Sequence, residues 1–313
     1  MEKFEPRKLP TVLNAEELID KAFKRASRVT GRDRKKKTVD KLATVSNVIT
    51  DYLNKVTSAH PSYENLPEFY RELVDITVGI RKIKKSLAAM NWASETTRKI
   101  VNKNIGNLKR GKDPDIILKS TYGRISSIIK QIDSELRFLN KAKNLMRRIP
   151  SLDDLPTVVV AGYPNVGKSS FVASISTVKP EIATYPFTTR EIYVGFRKMN
   201  GDRIQIIDTP GLLDRPIHKR NQIEMRAILC LRYLADIIVF IIDPTETCGY
   251  TLKDQLSLLE EIKRSFDAKI LPVYSKSDLH RMKDLIPFSN VTGEGIKELI
   301  DIITEEIKAS GKE

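Results

Sequence analysis

Residues Thr157-Val158-Val159-Val160-Ala161 run straight into Gly162-Tyr163-Pro164-Asn165-Val166-Gly167-Lys168-Ser169, and this junction constrains the fold more than any other feature of the chain. A β-branched run without polar alternation predicts a strand buried on both faces. The glycine-containing segment after it matches G-x-x-x-x-G-K-[ST], whose glycines let backbone N–H groups curl around a phosphate at the start of the next helix. Gly162, Asn165, Val166, Gly167, Lys168, Ser169 and Ser170 are the expected phosphate-binding set. Lys168 is placed to reach the β- and γ-phosphates, and the Ser169 hydroxyl to ligate Mg²⁺. Further apolar runs at 204–207, 237–242 and 270–274 alternate with amphipathic helical patterns at 223–234, 252–262 and 296–307. That alternation predicts a doubly wound, mostly parallel sheet over residues 151–313.

Two more motifs fall at the ends of these strands. Asp208-Thr209-Pro210-Gly211 closes the second run, forty residues after Lys168. A carboxylate there can hold the hydration shell of Mg²⁺, and the Gly211 N–H can engage a γ-phosphate. Ser275-Lys276-Ser277-Asp278 has the form of an N-K-x-D base-reading motif with serine in place of asparagine. Asp278 can accept two hydrogen bonds from guanine, whereas adenine would leave its charge unpaired. At about 1.5–3 kcal/mol for each bond, the discrimination is a hundredfold or more. Lys276 would lay its stem along the base, and Ser275 keeps one hydroxyl for the phosphate loop. Ser289-Asn290-Val291-Thr292-Gly293 supplies a backbone N–H, expected to be that of Asn290, for guanine O6. Within Tyr185-Pro186-Phe187-Thr188-Thr189-Arg190, a switch hydroxyl for Mg²⁺ is assigned to Thr189, with Thr188 as the alternative.

The first half has another texture. Asn14 and Glu17 have the form of a capping box before Leu18, Ile19, Ala22, Phe23 and Ala26. Leu42, Val45, Ile49, Tyr52 and Val56 mark a second helix. Phe69, Leu73, Ile76, Ile80, Ile83, Leu87 and Met90 form one continuous stripe that predicts a third. Ile100, Ile105 and Leu108 suggest a short fourth element. Asp113 and Pro114 open a long last helix through Leu139. The reading is an antiparallel helical bundle over residues 1–150. Trp92 and Tyr122 could stack on bases, but as lone aromatics in helical stretches they are expected in its core.

The charge is divided as sharply as the periodicity. Residues 1–150 carry 33 Lys and Arg against 17 Asp and Glu, while the remainder carries 21 against 23. The whole net charge of +14 therefore belongs to the first half, which points to a polyanionic partner for one domain only. Its clusters are Arg32 to Lys37, then Arg81, Lys82 and Lys85, then Lys109, Arg110 and Lys112, then Lys141, Lys143, Arg147 and Arg148. Taken singly, each reads as a solvated face. Two cysteines cannot make a disulfide framework, so a reducing cytoplasm is expected. No signal-peptide pattern opens the chain, and no apolar run is long enough to span a bilayer.

With these residues in place, the second half resembles GTPases of the Obg superfamily. Asp208-Thr209-Pro210-Gly211-Leu212-Leu213-Asp214-Arg215-Pro216, together with Arg220-Asn221-Gln222-Ile223-Glu224-Met225, resembles the nucleolar GTP-binding protein family in particular. The resemblance implies an α + α/β chain, a helical bundle followed by a P-loop GTPase domain that binds GTP or GDP with Mg²⁺. It implies a switch in large-ribosomal-subunit assembly, contacting the subunit precursor and its rRNA through the basic bundle, with no membrane partner and as a monomer. Because the sequence stops soon after its last predicted helix, it is expected to be a compact, archaeal-type member. Leu212 stands where many GTPases carry a water-orienting glutamine, so slow hydrolysis is expected, stimulated by K⁺ or by the assembled partner. Asn165 matches an asparagine that helps to hold K⁺ in some relatives; the alternative is that it only braces the loop. The competing readings are a nucleotide-binding scaffold with negligible turnover and another Obg-type, translation-associated GTPase.

Overall fold

The computed structural model describes residues 5–147, 149, 152–153, 155–177, 181–184, 191–199, 202–216 and 221–309. They fall into two compact units that do not follow chain order: residues within 4–66 and 78–147 form one, and those within 67–77 and 148–313 the other.

The first unit is helical. Asn14 caps α1 (Ala15–Ser27) through a complete capping box: its side chain accepts from the Glu17 N–H, and the Glu17 carboxylate accepts from the Asn14 N–H. Asp33 caps α2 (Arg34–Ser58). The stripe from Phe69 to Met90, predicted as one helix, is divided at Gly79 into α3 (Glu68–Val78), which up to Thr77 is counted with the second unit, and α4 (Ile80–Lys109) of the first. Gly79 lies at φ +81, in the left-handed region where a residue without Cβ is at ease. The short element expected around Ile100 is the end of α4, because nothing between Met90 and Leu108 breaks the helix. Asp113 and Pro114 open α5 (Pro114–Gln131) as expected. The predicted long helix is interrupted at Ile132, and α6 (Asp133–Met146) comes after the break. Asp133 accepts from the Ala15 N–H at 2.8 Å, tying this break to the start of α1.

In this unit α4 packs against α2, α5 and α6, and α1 against α2 and α5. Leu18, Leu42, Ile49, Leu53, Ile83 and Met90 are fully buried at their centre. Tyr122 stacks on Phe23 with ring centroids 4.3 Å apart. Trp92 is not in the core: it is 46% exposed. Lys143, counted among the surface cations, is buried instead and donates to Thr11 Oγ1.

The second unit holds a seven-stranded sheet. Its strands are β1 (Thr157–Ala161), β2 (Glu181–Thr184), β3 (Glu191–Met199), β4 (Asp202–Asp208), β5 (Ile237–Ile242), β6 (Lys269–Tyr274) and the two-residue β7 (Ile286–Pro287). They run in the order β2-β3-β4-β1-β5-β6-β7. The pairs from β4 through β1 and β5 to β7 are parallel, while β2–β3 and β3–β4 are antiparallel. Helices α7 (Lys168–Ile175), α8 (Gln222–Leu229), α9 (Leu252–Ser265) and α10 (Ile296–Ala309) connect and cover the strands. β1 and β5 are buried at every residue, as their unalternating sequences require.

The parallel register decides where the motifs meet. Val160 pairs with Asp208, Ala161 with Phe240, and Ile242 with Tyr274. The segments beginning at Gly162, Thr209, Asp243 and Ser275 therefore leave the sheet at one edge, the carboxyl ends of the parallel strands, where such sheets bind ligands.

Candidate nucleotide site

The loop between β1 and α7 is shaped by three residues at positive φ: Gly162 (+135), Asn165 (+63) and Gly167 (+98). A Cβ on Gly162 would lie 2.4 Å from the Ile241 carbonyl oxygen, so close approach to β5 demands glycine there. Lys168 opens α7 and is buried, its ammonium donating to the Gly162 and Tyr163 carbonyls at 2.9 and 2.7 Å. Burial pushes its pKa down, against the upward pull of Asp208. A preformed cation is thus held within the loop on two of its carbonyls.

Three side chains from other motifs tie onto this loop. Ser169 Oγ donates to Asp208 Oδ2 at 2.5 Å. Ser275 Oγ donates to the Val166 carbonyl at 2.8 Å. Asn290 Nδ2 donates to the Gly167 carbonyl at 3.1 Å, a contact possible because Gly167 has no Cβ: one placed there would lie 2.8 Å from that nitrogen. The sequence predicts a backbone contact for Asn290, and its side chain adds a brace that the motif alone does not indicate. Thr209 Oγ1 anchors the turn after β4 on the Val160 carbonyl. Gly211 then takes φ +78, and Leu212 is fully buried.

Asp208 is completely buried, and its Oδ1 has no hydrogen-bond partner among the described residues. Burial raises its pKa, opposed by the Ser169 hydroxyl, Lys168 and the Thr209 backbone N–H, the last too poorly aligned for a hydrogen bond. A desolvated carboxylate with one oxygen unused, beside a serine hydroxyl, fits a hard divalent cation that takes oxygen ligands. Ser169 and Asp208 would hold Mg²⁺. The third residue assigned to the metal, Thr189, lies outside the described residues, as does Thr188. Among the described residues no group of three His, Cys, Asp or Glu side chains could hold a metal by itself.

On the base side, Asp278 is exposed, and Lys276 takes a left-handed φ of +59. Lys276 does not lie loose. Its ammonium donates to Asp243 Oδ2 at 2.6 Å and to Thr247 Oγ1. Asp243 belongs to the site although no sequence motif marks it. Inaccessible to solvent, it accepts from the Thr245 and Cys248 N–H groups and from both threonine hydroxyls. Burial opposes its ionisation, but Lys276 and these donors outweigh burial and hold its pKa below the usual carboxylate value. Gln255 closes the network, donating to the Asp243 carbonyl and accepting from its N–H. Ser289 Oγ accepts from the Val291 and Thr292 N–H groups, shaping the last loop.

Comparison with known proteins gives a consistent picture. The family profile described as the NOG1 N-terminal helical domain matches residues 6–153, and that of nucleolar GTP-binding protein 1 (NOG1) matches residues 222–278. An uncharacterised protein of Methanocaldococcus jannaschii is 42% identical over 87% of this chain and 81% of its own. Nucleolar GTP-binding protein 1 of Saccharomyces cerevisiae is 30% identical over 95% of this chain but only 48% of its own length. The corresponding Encephalitozoon cuniculi protein is 33% identical over 76% and 46%. The chain thus spans about half the length of these nucleolar relatives. A solved Plasmodium falciparum structure of the same description is 33% identical, covers 52% of this chain and 92% of its own, and superposes with a TM-score of 0.46.

Proposed function

The chain belongs to the nucleolar GTP-binding protein 1 family, and on that premise we propose that it is a GTP-binding switch of the Obg type, hydrolysing GTP slowly during large-ribosomal-subunit biogenesis. The observation that carries the nucleotide reading is the buried Asp208 carboxylate beside Ser169 at the foot of the phosphate loop, whose Oδ1 meets no hydrogen-bond donor of good geometry among the described residues. Mg²⁺, once bound with the triphosphate, would neutralise charge developing on its oxygens. Lys168 exchanges its two carbonyl partners for β- and γ-phosphate oxygens. Ser275 and Asn290 keep the loop in shape, and Asp278 selects guanine. Lys276, held by Asp243, flanks the base.

Turnover is slow because Leu212 is apolar and fully buried, so the residue after Gly211 cannot orient an attacking water. Groups from the assembled partner, or K⁺ near Asn165, would supply the missing stabilisation. The same leucine favours, as a second reading, a scaffold that binds nucleotide without turning it over. Phosphate release over many turnovers, with and without ribosomal particles and in K⁺ against Na⁺, separates the two.

The basic helical unit supports an rRNA partner. Lys35, Lys36, Arg81, Lys85, Lys109 and Lys112 are all exposed, and their cost in self-repulsion is offset by phosphate contacts. Calorimetry with GTP and ATP analogues in Mg²⁺ or EDTA tests the nucleotide site. Binding of adenosine nucleotides in preference, or metal-independent binding, would overturn it.

A further inference from the structure

The helical unit contains a cavity of about 560 Å³ between α1, α2 and the segment before α1. Its size lies within the range of small-ligand clefts, about 300–1,000 Å³. Lys21 and Arg25 stand one helical turn apart on α1, and Lys55 faces them from the end of α2. None of the three forms an ion pair among the described residues, although Lys24 beside them is paired with Asp20. Asp51 is the lone carboxylate of the lining, so the three cations leave an excess of two positive charges.

One further cation reaches a lining residue through a hydrogen bond. Thr11, on the rim, accepts from Lys143 Nζ through its hydroxyl, and Lys143 is only 5% exposed with no carboxylate partner among the described residues. The rest of the lining suits more than a bare phosphate. Tyr52 lines the cavity with its hydroxyl fixed by the Leu13 N–H and the Thr11 carbonyl, and Lys21 lies over one face of its ring at 5.4 Å. Asn47 and Thr44 add amide and hydroxyl groups, over a floor that includes Val48 and Val56.

We infer that this cavity binds one unpaired nucleotide of an RNA strand, its phosphates on Lys21, Arg25 and Lys55 and its base and ribose against Tyr52 and Asn47. Proteins read RNA largely through such splayed nucleotides, set against aromatic rings and hydrogen-bonding side chains. The inference rests on the rRNA-binding reading above but assigns that contact to a groove outside the four basic clusters of the sequence. The chemistry it names, a nucleoside monophosphate unit, could also come from free nucleotide.

The test uses the full chain and a single-stranded RNA carrying 4-thiouridine. Irradiation is expected to give adducts on the peptide spanning Asn47 to Val56, lost in K21A/R25A/K55A and retained in K21R/R25K/K55R. The triple alanine variant should also lower the slope of log affinity against log salt by about 0.7–1.4, from the loss of the one or two phosphates that flank a single nucleotide of the strand. Its helical circular dichroism and urea unfolding should stay those of the wild type, which verifies folding of the helical unit. RNA bound with the wild-type slope and adducts by the alanine variant overturns the groove while leaving RNA binding intact. No RNA binding by any form overturns both. Adducts elsewhere, with millimolar UMP alone protecting the groove, would give the site to free nucleotide and overturn the RNA assignment.

Discussion

Ser275 Oγ donates to the Val166 carbonyl at 2.8 Å, joining the base-reading loop to the middle of the phosphate loop. Serine therefore keeps the bond for which an asparagine is expected at this position, with one donor fewer. Both ends are buried, so removing the hydroxyl strands a carbonyl. S275A should weaken GTP binding by about 1–2 kcal/mol, or five- to thirtyfold. S275N should bind at least as tightly as the wild type. Calorimetric Kd values for the three proteins give the answer.

Lys276 and Asp243 form the second bond that holds the base-side loop. Replacing Lys276 with Met removes the counter-charge of a solvent-inaccessible carboxylate and should destabilise the protein by about 2–3 kcal/mol at pH 7, measured by urea unfolding. The pH dependence has a definite sign. Because the folded-state pKa of Asp243 is depressed, its contribution is present above the unfolded value of 3.8 and is lost as pH falls through the folded value. In K276M that loss should begin at higher pH. An unchanged acid limb would show that Lys276 is not its main partner.

Asp208 behaves oppositely. Burial raises its pKa, so its contribution to stability is greatest below 3.8 and is lost as pH rises through the folded value. D208N removes that burdensome charge. It should unfold at the same or a higher temperature than the wild type without ligand, yet lose most of the stabilisation conferred by Mg²⁺ and GTP. Thermal melts with GTP in Mg²⁺ or EDTA distinguish this from a folding defect, which would lower both melts together.

The helical unit has its own acid-sensitive element. His60 is pushed down to about 4 by burial, with Nδ1 2.6 Å from the Tyr63 hydroxyl. Neutral His60 is preferred in the folded state, so the stability associated with it is whole above the unfolded pKa of 6.5. It declines as pH falls from there to about 4. The full span is worth at most about 3 kcal/mol. H60Q should flatten unfolding free energy between pH 6.5 and 4.5, as monitored by urea denaturation.

The geometry of the candidate nucleotide site was legible wherever it is written as a local word. Gly162 to Ser169 and Asp208 to Gly211 have backbone shapes and charges that short spacings dictate. The capping box at Asn14 and the Asp113-Pro114 helix start were readable for the same reason. Asp243 was not, because a single Asp closing an apolar run looks like the end of any buried strand. Its function depends on the register that aligns Ile242 with Tyr274, which no local pattern encodes. Gly79 hid in a stripe whose period continues across it, since hydrophobic spacing reports which face is buried and not whether the backbone turns. The alternation of β3 was present in Ile192 and Val194, both buried, but was obscured by the charged ends of that strand.

Helix α3 carries a consequence for how such a chain can be cut or exchanged. The Tyr70 hydroxyl accepts from the Leu152 N–H at 2.6 Å and donates to its carbonyl at 3.2 Å, and Arg226 lies 3.9 Å from both Glu72 and Asp75. Residues 67–77 are thus structural property of the nucleotide-binding half, although they are encoded amid the helical half. A gene fragment starting at residue 151 would lack that wall, and one ending at residue 150 would carry it as an orphan. A cut placed before residue 67 or after residue 77 thus divides contacts differently from one at the apparent midpoint of the sequence.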